Sequence, residues 1–560
     1  MSSATPTSGT SPVRRLSLAG VLRLRRPSEI WFKPALSSVA AVAPPNLLLL
    51  ALGRLDLAMY TMAGSLCALY AHNRPYAARA RTLAWVVLGM IGGLAVALLT
   101  ASLTRNAVVL VTVGALLAAV QKTLCDATRV GPPGNVVLTF ISSAALFVPQ
   151  TLGQVPGHLA LAAAAGVWAW LVGMAPAPVR PHGPERRATA QALNAAAAYA
   201  ASHATGEDHA PAAGYAAVQA AWQTLLALPS TGTRATTRHA LERLVVRAEV
   251  ALAAPADTDP ERLRTWAHAL RGGGRIPRTG DAPGDRDELL GVDAELAARP
   301  APLWQRLGPL APIAARTALG CALAGYASLA LGIGRPYWAL VTAAALYQAN
   351  LTLTWSRAVQ RVVGNLAGVL VFAAIAPLAH LGQALLVLCC LALNFGAEAL
   401  ITRNYWLGSV CVTPMALLVT EFAGYQAPGD LMTERAVDTL VGALVGFLAA
   451  VVVTNRRAGN RVEQAVAAAD RARERAARLL AEPAPAPGAL EAARRGLAAA
   501  LTDLRATADG AAGEWWGRAL PQERVVLAER SGHRTLAEAV RRQAARPDRD
   551  AGTRTEDVRP

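Results

Sequence analysis

Two long apolar blocks, residues 35–175 and 309–454, constrain this chain more than any other feature. A helix that crosses a bilayer needs about 20 mainly apolar residues. The first block divides into stretches of that kind near 35–53, 57–73, 83–104, 107–124, 135–150 and 158–175. The second divides near 309–331, 336–351, 362–380, 382–401, 404–421 and 436–454. The stretches 336–351 and 404–421 are short, and call for a locally thin bilayer or shelter by neighbouring helices. The expected fold is all-α: a polytopic membrane protein of about 12 transmembrane helices in two parallel six-helix units, with helical cytoplasmic regions.

Charge placement supports the same reading. Only 16% of residues are charged, against about 25% in a typical soluble domain. A net charge of +17 would suggest nucleic acid in a soluble chain. Here Arg23, Arg25, Arg26 and Lys33 precede the first apolar stretch, and Arg456, Arg457 and Arg461 follow the last. That is the signature of cytoplasmic flanks, so the bilayer and not nucleic acid is the implied partner. The loops alternate in the same sense. Arg74, Arg79 and Arg81, then Lys122 and Arg129, then Arg357, Arg361 and Arg403 fall on one side, while 151–157 and 377–383 hold no Lys or Arg. This places both termini and the middle segment in the cytoplasm of a bacterial cell, with the inner membrane spanned many times.

The domain reading is a basic leader 1–34, a first membrane unit 35–175 and a cytoplasmic helical segment 180–305 with a flexible linker at 272–287. A second membrane unit 309–454, a helical segment 456–545 and a disordered tail 546–560 complete it. No cleavable signal peptide is evident in the leader. Its stretch 16–24 alternates Leu and Arg, as in an amphipathic surface helix or a disordered basic arm, and both readings stand.

Enzyme and cofactor chemistry find little footing. Cys67, Cys125, Cys321, Cys389, Cys390 and Cys411 sit in or beside apolar stretches without a metal-ligand spacing, and read as small core residues. His203, His209, His239, His268 and His533 are scattered in polar helices with no nucleophile–base pattern. Gly272-Gly273-Gly274 lacks the lysine and spacing of a phosphate loop. No cofactor and no metal are expected.

An order of features recurs in the two blocks. Leu66-Cys67-Ala68-Leu69-Tyr70 is followed by a basic loop and by Gly89, Gly92 and Gly93. Ala344-Ala345-Leu346-Tyr347 is followed by Arg357 and Arg361, then by Gly364 and Gly368. Each unit has an even number of spans and starts on the same side, so the repeats run parallel, a plan that puts a substrate path at their interface. Gly364 with Gly368, and Gly442 with Gly446, put small residues on one helix face for close packing or for lining a path.

The stretch Arg335-Pro336-Tyr337-Trp338-Ala339-Leu340-Val341-Thr342, then Thr354-Trp355-Ser356-Arg357 through Arg361-Val362-Val363-Gly364-Asn365-Leu366-Ala367-Gly368, resembles the fusaric acid resistance and aromatic acid exporter family. That family's pattern is a Tyr-Trp-x-x-x-Thr helix, then Arg-x-x-x-Arg-x-x-Gly-Thr-x-x-Gly; Asn365 stands here where Thr is usual. The unit–helical region–unit–helical tail layout is similar too, and the aluminium-activated malate channels of plants look like distant relatives. The resemblance implies an exporter of organic anions, aromatic carboxylic acids in particular. With no nucleotide-binding motif, an ion gradient would drive it.

Candidate path residues follow from the cost of polar groups at membrane depth. Arg316 lies inside the seventh stretch, and Arg357 and Arg361 share a helical face at a mouth. The two latter are anion contacts or topology-setting flank charges. Arg335 and Arg435 are the matching pair for the outer side. Asn394 and Glu398 lie four apart; Glu398 either carries a proton or pairs with Arg403 or Arg357 to hold helices together. Asp438 has the same two readings. Tyr337, Trp338 and Trp406 are interfacial anchors or stacking surfaces, and Thr342 and Tyr347 complete the set. An anion channel, or a membrane-anchored scaffold or sensor, are the alternatives to an exporter, and self-association stays open. The second unit is expected to supply most polar contacts of a path, the first to be largely structural.

Overall fold

The computed structural model describes residues 18, 20–24, 31–205, 212–227, 233–253, 255–272, 275–277, 303–348, 350–453, 458–486, 488–512 and 522–544. Arg25, Arg26, Arg456 and Arg457, the helix breaks at 206–211 and 229–232, most of the linker 272–287 and the tail 546–560 lie outside the described residues.

Every regular element among the described residues is helical. In the first membrane region these are α1 (Phe32–Ala51), α2 (Ala58–Ser65, flanked by 3₁₀ turns), α3 (Tyr76–Leu103), α4 (Ala107–Thr128), α5 (Val136–Leu146) and α6 (Val155–Met174). A polar helical segment follows, with α7 (Gly183–Ala204), α8 (Ala212–Leu226), α9 (Thr233–Ala253) and α10 (Pro260–Arg271). A short α11 (Leu303–Leu307) leads into the second membrane region. That region contains α12 (Ala311–Ala330), α13 (Tyr337–Leu346), α14 (Leu351–Ala379), α15 (Gln383–Ile401), α16 (Tyr405–Thr420) and α17 (Pro428–Val452). The last three are α18 (Ala458–Ala481), α19 (Ala489–Ala512) and α20 (Gln522–Ala544).

Nine helices among the described residues are long and apolar enough to cross a bilayer. The expected spans at 57–73, 135–150 and 336–351 instead fold as shorter apolar helices, Leu55–Leu69, Val136–Leu146 and Tyr337–Leu346. Shelter explains how such short helices persist. All ten residues of α13 are buried, and all of α2 except Met59. Their free backbone ends meet protein and not lipid, the only setting in which broken helices are tolerated at membrane depth. Both short helices run into a buried tyrosine with extended backbone, Tyr70 (φ −89°, ψ 155°) and Tyr347 (φ −66°, ψ 112°). The Tyr70 hydroxyl donates to the Gly134 carbonyl at 2.7 Å, and the Tyr347 hydroxyl to the Gly446 carbonyl at 3.1 Å.

The basic loops expected after these tyrosines are largely helix. α14 begins at Leu351, so Arg357 and Arg361 project from its early turns, and Arg79 and Arg81 project likewise from α3. Asn350 starts α14 by accepting from the Leu353 amide at 2.8 Å, the usual role of an N-cap asparagine.

The two membrane regions interlock reciprocally. α1 packs on α15, and α12 packs on α4: the first helix of each region lies against the fourth of the other. Within the second region the paired glycines act as close-packing sites. A methyl at Gly442 would lie 2.4 Å from the Ala339 carbonyl of α13, and one at Gly364 would lie 2.5 Å from the Trp406 carbonyl of α16. Asn365, on the same stretch of α14, joins three helices. Its amide donates to Thr439 of α17 at 3.0 Å, and its carbonyl accepts from Thr413 of α16 at 2.7 Å.

The polar segments on either side of the second region dock on each other. The Glu249 carboxylate of α9 meets the Arg494 guanidinium of α19 at 2.9 Å and accepts from the Trp222 indole of α8 at 2.8 Å. Tyr215 of α8 stacks on His533 of α20 with ring centres 4.8 Å apart. The cysteines are all free.

Candidate functional site

A cavity of about 1760 Å³ lies between the two membrane regions. Its walls include Tyr60 and Met62 of α2, Phe140 and Ile141 of α5, Tyr337 and Val341 of α13, and the facing surfaces of α14, α15 and α16. One end is bounded by Asp56, Arg335 and Gln426, at the end of α1 remote from the leader. The other is bounded by Arg74, Arg129, Arg403 and by Arg187 of α7. The helices thus line a cavity with polar residues toward both of its ends.

Arginines mark its length. Arg357 and Arg361, one turn apart on α14, both engage Tyr405 at the start of α16. The Arg361 guanidinium donates to the Tyr405 hydroxyl at 2.7 Å, and the Arg357 guanidinium lies 3.9 Å from the centre of its ring. Further along, Arg435 of α17 is 1% exposed and lies 5.0 Å from the centre of the Trp338 ring. Arg335 lies 5.4 Å from the same ring and is paired with Glu434. Among the described residues no carboxylate lies within ion-pair distance of Arg357, Arg361 or Arg435. Nε of Arg361 and two guanidinium nitrogens of Arg435 are buried without a hydrogen-bond partner.

This arrangement has an electrostatic consequence. A guanidinium does not deprotonate in a protein, so burial cannot relieve its charge. Burying an unpaired ion is costly, and aromatic faces return only about 0.5–2 kcal/mol each. A mobile anion in the cavity offers what the protein withholds: charge neutralisation and acceptors for the unused N–H groups.

The residues expected from the sequence separate into two groups. Tyr337, Tyr347, Arg357, Arg361, Asn394 and Glu398 line the cavity. Arg316, Trp338, Thr342 and Asp438 are not on its wall. Arg316 is 2% exposed and donates to the Val453 carbonyl, clamping α12 to the end of α17. Asp438 accepts from Ser328 at 2.7 Å, which again joins α17 to α12. Thr342 is buried at the α13–α17 contact beside Gly442. Trp338 is 0% exposed, so it is no interfacial anchor; its ring is the surface under two arginines. Glu398 forms no ion pair with Arg403 or Arg357, which leaves its carboxyl facing the cavity. Asn394 exchanges hydrogen bonds with Ser38 of α1 at 2.8 and 3.2 Å, and so holds the interface between the two regions.

Tyr405 is the residue that sequence reasoning missed. It precedes Trp406 at a helix start, where an aromatic pair reads as a membrane anchor, and only the packing of α16 on α14 brings it to the arginines. Arg435, the expected outer-side partner of Arg335, lies within α17 with its side chain enclosed, over the same Trp338 ring as Arg335. No group of three or more His, Cys, Asp or Glu side chains that could hold a metal ion occurs among the described residues.

Nine helices among the described residues are long and apolar enough to cross a bilayer, as in a multi-pass α-helical membrane protein. Residues 322–449, from α12 into α17, match the family described as fusaric acid resistance protein-like. The uncharacterized membrane protein YvaC of Bacillus subtilis (strain 168) is 33% identical over 141 residues. That match covers 25% of this chain and 22% of the relative, so it spans about a fifth of that protein's length. No solved structure matches significantly. The part of the second membrane region that is similar to fusaric acid resistance-like proteins holds Arg335, Arg357, Arg361, Glu398, Tyr405 and Arg435.

Proposed function

We propose that this protein exports organic anions, aromatic carboxylic acids in particular, from the cytoplasm of a bacterial cell across its inner membrane, driven by an ion gradient. The observation that carries this reading is the set Arg357, Arg361 and Arg435 on the wall of one cavity, with no carboxylate within ion-pair distance of them among the described residues. The Tyr405 ring beside two of them offers a stacking face to a planar acid. The unpaired Glu398 carboxyl on the same wall is the candidate for proton exchange against the substrate. Both termini are cytoplasmic in this reading, and the twelve helices form two parallel six-helix units related by an axis along the membrane normal. The reciprocal packing of α1 on α15 and α12 on α4 supports that symmetry, since a two-fold axis generates such paired contacts.

The test is uptake of a panel of aromatic and aliphatic carboxylates into inverted vesicles, with and without an imposed proton gradient. Gradient-dependent accumulation that is lost in Arg361→Gln is the expected result. No accumulation of any anion by the unaltered protein would sink the proposal. A second reading, an anion channel, is favoured by one observation: the same cavity is bounded by polar residues at both ends. Current that reverses at the anion equilibrium potential in planar bilayers would select it over coupled transport.

A further inference from the structure

Residues 20–24 of the leader lie across the end of the cavity bounded by Arg403, and Gly20, Val21 and Arg23 form part of its wall. They are held almost wholly through their backbone carbonyls. The Gln360 amide donates to the Val21 carbonyl at 2.9 Å. The Asn404 amide donates to the carbonyls of Val21 and Arg23, each at 3.1 Å, and the Trp406 indole donates to that of Leu22 at 3.2 Å. These donors are not scattered. Gln360 precedes Arg361 on α14, and Asn404 and Trp406 flank Tyr405. The segment therefore occupies the hydrogen-bonding groups next to the arginine–tyrosine cluster.

Side chains hold it far less firmly. Leu22 is 40% exposed and Leu24 55% exposed, so little apolar surface anchors the segment. Arg23 has no ion-pair partner among the described residues, and it faces a mouth that already carries Arg357 and Arg403. Like charges on one mouth favour release, and an anion arriving there relieves them. Three neutral donors facing carbonyl oxygens are also chemically suited to carboxylate oxygens.

We propose that residues 20–24 are a displaceable latch over this mouth. Closed, their carbonyls occupy Gln360, Asn404 and Trp406. Open, the same three donors form a peripheral docking site that receives a carboxylate before it reaches Arg357 and Arg361. The docking half of this proposal rests on the anion-transport reading; the latch half does not.

The two are separated by measuring access directly. Ser356 lines the mouth and is half-buried, so Ser356→Cys reports on opening. The full chain carrying this substitution is labelled with a negatively charged, membrane-impermeant thiol reagent, and the unsubstituted protein supplies the background from the native cysteines. Replacing residues 20–24 by glycine and serine is expected to speed labelling about threefold or more, as for a mouth open in a minority of molecules. Gln360→Ala with Trp406→Phe, which keeps the segment but removes two of its donors, is expected to give an intermediate rate. A synthetic peptide of residues 18–24 added to the replaced protein should slow labelling again. Unchanged labelling in both altered proteins would overturn the latch. Faster labelling in a protein that accumulates no anion would keep the latch and discard the docking role.

Discussion

The two membrane regions have similar sequences of helix lengths yet treat the charges on the cavity wall differently. In the first, Arg74 and Lys122 on the cavity wall are tied down, whereas Arg79, off that wall, is buried with its Nε unpartnered. Arg74 donates to Thr82 and to the carbonyls of Thr128 and Arg129, Lys122 pairs with Asp126 at 3.0 Å, and Arg79 bonds the His72 ring at 3.1 Å. In the second, Arg357, Arg361 and Arg435 have aromatic neighbours and, among the described residues, no carboxylate within ion-pair distance. Charges of the first kind stabilise a scaffold. Those of the second kind leave a positive potential inside a passage, and a chain retains such a cost where a ligand offsets it.

The largest expected effect tests this contrast head-on. Arg435→Gln should lower the initial transport rate in reconstituted vesicles about 100-fold, since losing a buried charge–charge contact costs about 2–5 kcal/mol and 1.4 kcal/mol is tenfold. Lys122→Gln, which removes a charge already paired within the protein, should change it by less than about threefold, the value of a partly exposed ion pair. Equal losses in the two would erase the distinction between the regions.

A smaller effect sharpens the packing side of the comparison. Gly442→Ala pushes a methyl against the Ala339 carbonyl and should destabilise the protein by about 1–3 kcal/mol, read as a lowered thermal midpoint in detergent. Gly89→Ala on α3 meets nothing within 4 Å and should be neutral or slightly stabilising. A similar loss at both positions would mean that the close approach at α13 carries no special weight.

The smallest effect lies outside both regions and separates them from the helical body they support. Burial lowers the His533 imidazole from its ordinary value, so the folded state resists protonation. Its contribution is intact above about pH 6.5 and declines as pH falls through that value toward the folded one. Protection factors in α20, with the intrinsic pH dependence of amide exchange divided out, should therefore fall modestly between pH 7.5 and 5.5, and His533→Phe should remove that dependence while keeping the stack on Tyr215. If the dependence survives the substitution, acid acts elsewhere.

Much of this architecture was legible in the chain itself. Apolar runs of sufficient length leave a helix little choice in lipid, which is why nine spans are recognisable one at a time. The glycine pairs at 364 and 368 and at 442 and 446 announce close contacts, because only a missing side chain lets two backbones meet. Arg357 and Arg361 stand out for their spacing alone. What the chain could not reveal by itself is which polar residue meets which. Arg316 and Asp438 look like path residues by depth, yet the packing of α12 on α17 makes one a clamp on the Val453 carbonyl and the other an acceptor for Ser328. Tyr405 goes unremarked beside Trp406, yet the packing of α16 on α14 sets it against two guanidinium groups. The shortness of α2, α5 and α13 is likewise a tertiary matter, since a helix ends inside a membrane only where neighbours accept its free backbone groups. Hydropathy is a property of single segments and can be read from them. The partner of a buried charge is a property of pairs distant in sequence, and only the folded arrangement of helices decides it.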